Sequence, residues 1–209
     1  MRAIIFDLDG TLWDATRQIA CVWNALAKEF HIEKEITPIE LHGCMGKNID
    51  VIFDMLYPNT SEGVKEAFLE LCEKEECIYL SKNGGNIYPH VIEGLKALQL
   101  EHKLYIVSNC QKGYIEAFLA FYQIADLFSD YECSGNTGMV KSENIKRVIQ
   151  RNHLDECLYV GDTEGDRIAA RDAKIDFVHI LHGFGQVTEP CQTVEDFKHL
   201  VTFLTSGRE

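Results

Sequence analysis

The 209-residue sequence predicts an α/β fold, a doubly wound parallel sheet interrupted by a small inserted helical unit, and three observations lead there. Short apolar runs without polar alternation recur along the chain, as strands buried on both faces require. Helix-like stretches separate these runs, so that strand and helix alternate. One long segment near the amino terminus breaks the alternation and contains helical patterns alone.

The first strand is read from RAIIF, residues 2–6, which ends at a polar turn containing Gly10. Residues 14–82 follow with helical periodicity only, from Ala15, Ile19, Val22, Trp23, Leu26 and Phe30 to Val64, Phe68, Leu71 and Cys72. The turn-forming SKNGGN, residues 81–86, returns the chain to the α/β body. Three further strands are expected in KLYIVSN from Lys103, CLYVGD from Cys157 and DFVHIL from Asp176, with helices over 90–100, 112–123, 142–153 and 164–173. The expected division is a core of residues 1–13 and 83–209 and a helical insertion of residues 14–82. A chain of this length can bury a sizeable core, so a self-sufficient monomer is expected.

Composition narrows the function classes. Hydrophobic residues make up 46% and charged residues 25%, ordinary for a soluble globular protein. A formal net charge of −13 counts against nonspecific binding of nucleic acid or of an anionic membrane, because phosphate backbones are met by clustered lysine and arginine. A small phosphorylated molecule stays open, since the local field of a pocket decides that. No apolar run approaches the roughly 20 residues of a membrane span. The eight cysteines are scattered, with no CxxC spacing and no secretory signal ahead of them, so reduced thiols and a cytoplasmic location are expected.

In a parallel α/β sheet, ligands bind at the carboxyl ends of the strands. Collected there are Asp7, Asp9 and Thr11 after the first strand, Ser108 and Asn109 after the second, and Gly161, Asp162 and Asp166 after the third. Lys141 precedes a helix, and pattern alone does not place it in space. Should these groups converge, their carboxylates repel one another, and protonation or a divalent cation is the remedy. An all-oxygen ligand set favours Mg²⁺, and the lack of a nearby His pair or Cys cluster argues against zinc. With a cation and Lys141 drawing off charge, Asp7 can attack a phosphoryl group as a nucleophile. Asp9 is within reach to give a proton to the leaving oxygen and to take one from the attacking water. Thr11 and Ser108 offer hydroxyl donors to the phosphoryl oxygens.

DLDGT at Asp7, the apolar run ending in Ser108 and Asn109, Lys141, and GDTEGD at residues 161–166 resemble, in order, the four motifs of the haloacid dehalogenase superfamily. The resemblance implies a Rossmann-like core in which Asp7 is the nucleophile and Asp9 the general acid and base. It implies that Ser108 and Lys141 bind phosphate; Thr11 and Asn109, at the same strand ends, are further candidates for phosphate binding, with a structural or orienting role the simpler reading of Asn109. Mg²⁺ would be held by Asp7, the backbone carbonyl of Asp9 and Asp162, with Asp166 supporting through water or a hydrogen bond. The helical insertion is similar to the cap of phosphoglycolate-phosphatase-like and β-phosphoglucomutase-like members, closing over substrate and excluding water. HGFG, residues 182–185, resembles a glycine and aromatic turn of the former group. One departure is Ser142 after Lys141, where the family often has proline; a serine there is expected to cap the following helix.

Simpler readings exist for each residue taken alone. Asp9 and Gly10 suit a turn, Asp162 and Asp166 suit a helix start, Ser108 suits a cap and Lys141 a solvated surface. Their occurrence in sequence favours the catalytic reading. In the insertion, HGCMGKNID at residues 42–50 is equally a loop that dips into the site or an ordinary interhelix loop. His42, Lys47 and Arg17 are its candidate specificity residues. Trp13 is expected to pack at the hinge, and EKEECI, residues 73–78, to be a solvated helix face.

The expected activity is that of a Mg²⁺-dependent phosphatase acting on a small phosphorylated metabolite through an aspartyl phosphate. A haloacid dehalogenase is disfavoured by Asp9. A phosphomutase of the β-phosphoglucomutase type is disfavoured because ATRQIACVW, residues 15–23, lacks the histidine such enzymes carry. A binding protein that kept the fold and lost the chemistry would show an incomplete motif set.

Overall fold

The structure, a computed structural model, describes residues 2–206. In chain order the elements are β1 (Ala3–Phe6), β2 (Trp13–Asp14), α1 (Thr16–Glu29), α2 (Pro38–His42), α3 (Ile49–Leu56), α4 (Glu62–Asn83), β3 (Asn86–Ile87) and α5 (Val91–Gln99). They continue with β4 (Lys103–Ser108), α6 (Tyr114–Tyr122), β5 (Asp130–Cys133), α7 (Ser134–Thr137), α8 (Lys141–Arg151) and β6 (Cys157–Gly161). The last four are α9 (Glu164–Ala173), β7 (Asp176–Ile180), β8 (Gln192–Val194) and α10 (Phe197–Thr205).

Six strands form one parallel sheet in the order β5-β4-β1-β6-β7-β8. The central strand, β1, is buried along its whole length because AIIF is apolar on both faces. Its alternate residues divide between two cores: Ile4 and Phe6 pack with Leu104, Ile106, Leu158 and Val160, while Ala3 and Ile5 pack on the other face with Tyr105, Val107 and Tyr159. Helices cover both faces, so neither has room for polar alternation. On one of them α10 lies against α5, and Phe197 stacks on Phe6 with ring centroids 5.8 Å apart.

The apolar runs at residues 3–6, 103–108, 157–161 and 176–180 are all strands of this sheet. The periodicity does not reveal β5 or β8. These are the edge strands, DYEC and QTV, and both are partly exposed, so burial never demanded an apolar run. Also beyond the pattern are β2 and β3, two residues each, paired antiparallel with Trp13 opposite Ile87 and Asp14 opposite Asn86. They clamp together the entry and exit of the helical segment.

That segment folds as α1 to α4, with α1 packed against α4. Trp23, Phe53, Tyr57 and Phe68 form its aromatic centre, the Trp23 and Phe68 rings meeting edge to face at 5.5 Å. Helix α4 also packs against α6 of the sheet domain, so the apolar core runs without a break from sheet to insertion. Trp13 sits at the junction, fully buried, with Tyr114 and Phe118 edge-on at 5.6 and 5.0 Å.

One expectation is overturned in α4. EKEECI is not a solvated face throughout, because Phe68, Cys72, Glu76 and Leu80 are all buried and recur at four-residue spacing. A four-residue step keeps them on one side of the helix, so Glu76 is carried inward with its apolar neighbours.

All eight cysteines are free thiols. Among the described residues no helix is long and apolar enough to cross a membrane.

Candidate active site

Asp7 follows directly on β1, and its backbone N–H still belongs to the sheet, donating to the Val160 carbonyl at 2.8 Å. The chain then turns sharply through Gly10, whose φ of +83° lies in the left-handed region. A Cβ there would lie 2.3 Å from Asp162 Oδ2, so glycine both makes the turn and leaves room for that carboxylate.

Lys141 is the first residue of α8 and is buried, its Nζ donating to Asp7 Oδ1 at 2.8 Å and to Asp166 Oδ1 at 2.6 Å. The helix starts one residue earlier than the sequence suggests. Ser142 therefore lies inside the first turn and does not cap it; Val140 occupies the cap position with no side-chain bond. The lysine's ion pairs hold this end of the helix instead.

Asp162 leaves β6 with its carboxylate gripped by the turn at residues 182–185. Its Oδ2 accepts from Phe184 N at 2.7 Å and Gly185 N at 3.3 Å, and Oδ1 lies 3.5 Å from Thr11 Oγ1. The HGFG turn thus has a definite task, orienting Asp162. Asp166 works with both oxygens: Oδ2 accepts from Thr163 N at 3.0 Å in a capping box on α9, while Oδ1 accepts from Lys141. A helix cap and a support for the acidic cluster coexist in this one side chain.

Carboxylate oxygens of Asp7, Asp162 and Asp166 all lie within 4.8 Å of one another, and all three residues are buried. Burial, reinforced by Asp166 and opposed by Lys141, raises the Asp7 carboxyl from 3.8 to about 6. Asp162 is pushed up by burial and then by Asp166 and Asp7. Burial alone would favour the neutral amine of Lys141, but Asp166 and Asp7 outweigh it and hold the ammonium charged. Three acids against one lysine leave excess negative charge, and a buried all-oxygen donor set of this kind fits a hard divalent cation such as Mg²⁺.

Asp9 stands apart from this cluster. Tyr114 OH donates to its Oδ1 at 2.8 Å, and burial followed by the charge of Asp7 raises its carboxyl to about 8. Two aspartates one residue apart therefore differ in their readiness to carry a proton.

A cavity of about 40 Å³ lies between the strand ends and the helical segment. Asp7, Asp9, Ser108, Asn109, Gln111 and Tyr114 line it from the sheet domain; Ile19, Trp23, Leu41, Met45, Gly46, Lys47, Ile52 and Glu76 line it from the other side. Asn109 joins the two: its Nδ2 donates to the Gly46 carbonyl at 2.8 Å, and Ser134 Oγ donates to its Oδ1 at 3.1 Å. The loop at residues 42–50 thus reaches the site, with Met45, Gly46, Lys47 and Ile49 on the cavity wall.

Lys141, Asp162 and Asp166 stand behind Asp7 without lining the cavity, and Thr11, Arg17 and His42 do not line it either. Thr11 is buried with its hydroxyl toward Asp162, and its carbonyl accepts from His182 Nε2 at 3.0 Å. Arg17 is exposed on the first turn of α1. His42 instead latches helical segment to hinge, its Nε2 lying 3.1 Å from Thr16 Oγ1 and 3.4 Å from Asp14 Oδ2, with its ring 4.7 Å from that of Phe184. Trp23, Glu76, Gln111 and Tyr114 carry no motif that would mark them. Trp23 sits in an apolar periodicity that signals burial, Glu76 in an acidic run that signals the opposite and Gln111 in a loop; only the packing of α1, α4 and α6 shows that all four face a cavity.

The family model of haloacid dehalogenase-like hydrolases matches residues 4–180. A phosphoglycolate phosphatase from Psychrobacter arcticus is 26% identical over 222 residues, covering 96% of this chain and 94% of the relative. One from Haemophilus influenzae is 26% identical over 220 residues, covering 97% and 98%. Among solved structures, a haloacid dehalogenase-like family hydrolase from Streptococcus pneumoniae matches with a TM-score of 0.83 at 21% identity, covering 98% of this chain and 99% of that one. At that identity the solved structure speaks to the fold alone. The sheet order, the strand-end carboxylates and a match across residues 4–180 lead to one assignment: the chain belongs to the haloacid dehalogenase-like hydrolase family.

Proposed function

We propose that the chain is a phosphoric monoester hydrolase, a Mg²⁺-dependent phosphatase that releases phosphate from a small metabolite through an aspartyl phosphate on Asp7. The observation that carries this is the pairing of Asp7, bound by Lys141 in a cluster of three carboxylates, with a separate Asp9 whose carboxyl burial holds protonated near neutral pH. The phosphoglycolate phosphatases among its relatives support the same class.

Asp7, Asp162 and the backbone carbonyl of Asp9 would hold Mg²⁺, with Asp166 behind them. When bound, the ion neutralises enough charge for a phosphoryl group to approach a carboxylate. Asp7 then forms a bond to phosphorus as the bond to the leaving oxygen breaks, and Asp9 gives that oxygen its proton. In the second half Asp9, now ionised, takes a proton from water, which attacks phosphorus and frees Asp7. Ser108 and Asn109 face the same cavity as Asp7 and serve the phosphoryl oxygens; Lys141 holds Asp7 in place. Thr11, directed at Asp162, acts through that residue.

Residues 14–82 serve as the cap. The cavity of about 40 Å³ is far smaller than the roughly 300 Å³ at the low end of ligand sites, so substrate entry requires the cap to move away from the strand ends, where the Asn109–Gly46 bond now ties the two.

The test is phosphate release from acetyl phosphate and p-nitrophenyl phosphate with Mg²⁺ and with EDTA, using Asp7→Asn as control. Metal-dependent release that vanishes in the Asn variant is expected. Turnover in EDTA, or activity surviving in Asp7→Asn, refutes the mechanism.

A further inference from the structure

Glu76 is a buried carboxylate that the mechanism above does not use. It is 3% exposed, and it lines the cavity that faces Asp7 and Asp9. Donors from three parts of the chain converge on it: Trp23 Nε1 from α1 and Cys72 Sγ from its own helix on Oε1, and Gln111 Nε2 from the loop after β4 on Oε2. All of these donors are neutral, and among the described residues no lysine or arginine pairs with it. Ile19, Leu41, Met45 and Ile52 give the surrounding cap wall an apolar surface, with Lys47 the one other charged residue on the cap side of the lining.

An unpaired carboxylate in such a place is costly, and an apolar residue of similar size generally serves packing as well or better. Its position on the cavity wall gives it a use. Glu76 and Asp9 line the same cavity, so a leaving group released at Asp9 enters a space that Glu76 walls. The one lysine among the residues lining the cavity, Lys47, lies in the loop whose Gly46 carbonyl accepts from Asn109, and it makes no ion pair with Glu76.

We propose that Glu76 reads the leaving group, selecting phosphate monoesters whose alcohol part presents a hydroxyl or amine donor and bears no carboxylate. This rests on the phosphatase reading and narrows it. A second carboxylate facing Glu76 between apolar walls would be unpaired and poorly solvated, whereas a donor would find a preformed acceptor. Phosphoglycolate, which the relatives' name specifies, is on this basis a poor substrate for this chain.

The experiment measures kcat/KM with Mg²⁺ for glycerol 1-phosphate, O-phosphoethanolamine, 2-phosphoglycolate and acetyl phosphate, in the wild type and in Glu76→Gln. The wild type is expected to prefer glycerol 1-phosphate or O-phosphoethanolamine over phosphoglycolate by about tenfold or more, the winner showing whether a hydroxyl or an ammonium is the donor. Glu76→Gln is expected to shrink that ratio by about tenfold, a change in selectivity that a structural role would not produce. Preference of the wild type for phosphoglycolate overturns the proposal without recourse to any variant. So does an unchanged ratio in a folded Glu76→Gln protein. In either case release from acetyl phosphate leaves the phosphatase reading standing, whereas failure of all four substrates refutes that reading and this one together.

Discussion

Substituting Gly183 by alanine tests the task assigned to the HGFG turn. A Cβ at this position would lie 2.2 Å from Asp162 Cβ and 2.4 Å from its Oδ2. Neither approach is tolerable, and relief requires the turn and Asp162 to separate. That separation first breaks the 2.7 Å hydrogen bond from Phe184 N to Asp162 Oδ2. A hydrogen bond to a charged group contributes about 1.5–3 kcal/mol, which corresponds to about 10- to 150-fold in an equilibrium constant. Because that bond orients a proposed metal ligand, the penalty falls on Mg²⁺ binding, and a decrease of about 10- to 100-fold is the usual result of removing such support. The assay is the Mg²⁺ concentration for half-maximal phosphate release from acetyl phosphate, alongside Gly63→Ala as control. Gly63 lies in the first turn of α4 with nothing within 4 Å of an added Cβ, so its replacement leaves the Mg²⁺ requirement unchanged. Equal Mg²⁺ requirements in Gly183→Ala and wild type would refute the view that this turn positions Asp162.

Lys141→Met removes the cation between Asp7 and Asp166; breaking a buried pair costs about 3–5 kcal/mol, so a fall in the unfolding midpoint and a loss of at least about a hundredfold in kcat are expected, measured by thermal melting and phosphate release. Phe68→Ala empties the fully buried centre of the helical segment, and a loss of about 3–5 kcal/mol in denaturant unfolding is expected, with retention of wild-type stability the contrary result. In EDTA, stability should fall as pH rises from 7 to 8.5: Asp9's carboxyl is raised from 3.8 to about 8, so the folded chain holds a proton there that the unfolded chain has lost, and the benefit disappears as pH passes through the folded value. Asp9→Asn should flatten that slope, and melting temperatures that hold or rise over the window in the wild type would contradict the assignment. The window lies above the titration of His179 and His182, whose values burial lowers from 6.5 and whose contribution has the opposite sign.

The buried strands and the site differ in how far they can be read from the chain alone. Residues 3–6, 103–108, 157–161 and 176–180 announce themselves because a strand covered on both faces has to be apolar throughout. At the sheet's edges that demand lapses, and DYEC and QTV look like loops. Asp7, Asp9, Ser108 and Asn109 can be collected by the rule that strand ends face the ligand, and the four do line one cavity. Lys141 arrives on a helix start, where no pattern specifies that its Nζ lies 2.8 Å from Asp7. His42, the last residue of α2, and Lys47, five residues on in the loop that follows, have different surroundings: Lys47 lines the cavity, and His42 contacts the hinge and Phe184.

By itself, then, the sequence determined the layered α/β architecture and which polar residues gather at the strand ends, because burial and turn geometry act locally and leave their pattern in neighbouring residues. The tertiary structure alone decided what faces those strand ends. Glu76 and Gln111 are 35 residues apart in the chain and share a hydrogen bond. The acidic run around Glu76 reads as a solvated face, and that Glu76 turns inward, and what it meets there, depends on how α4 packs against α1 and α6 across a cavity built from both.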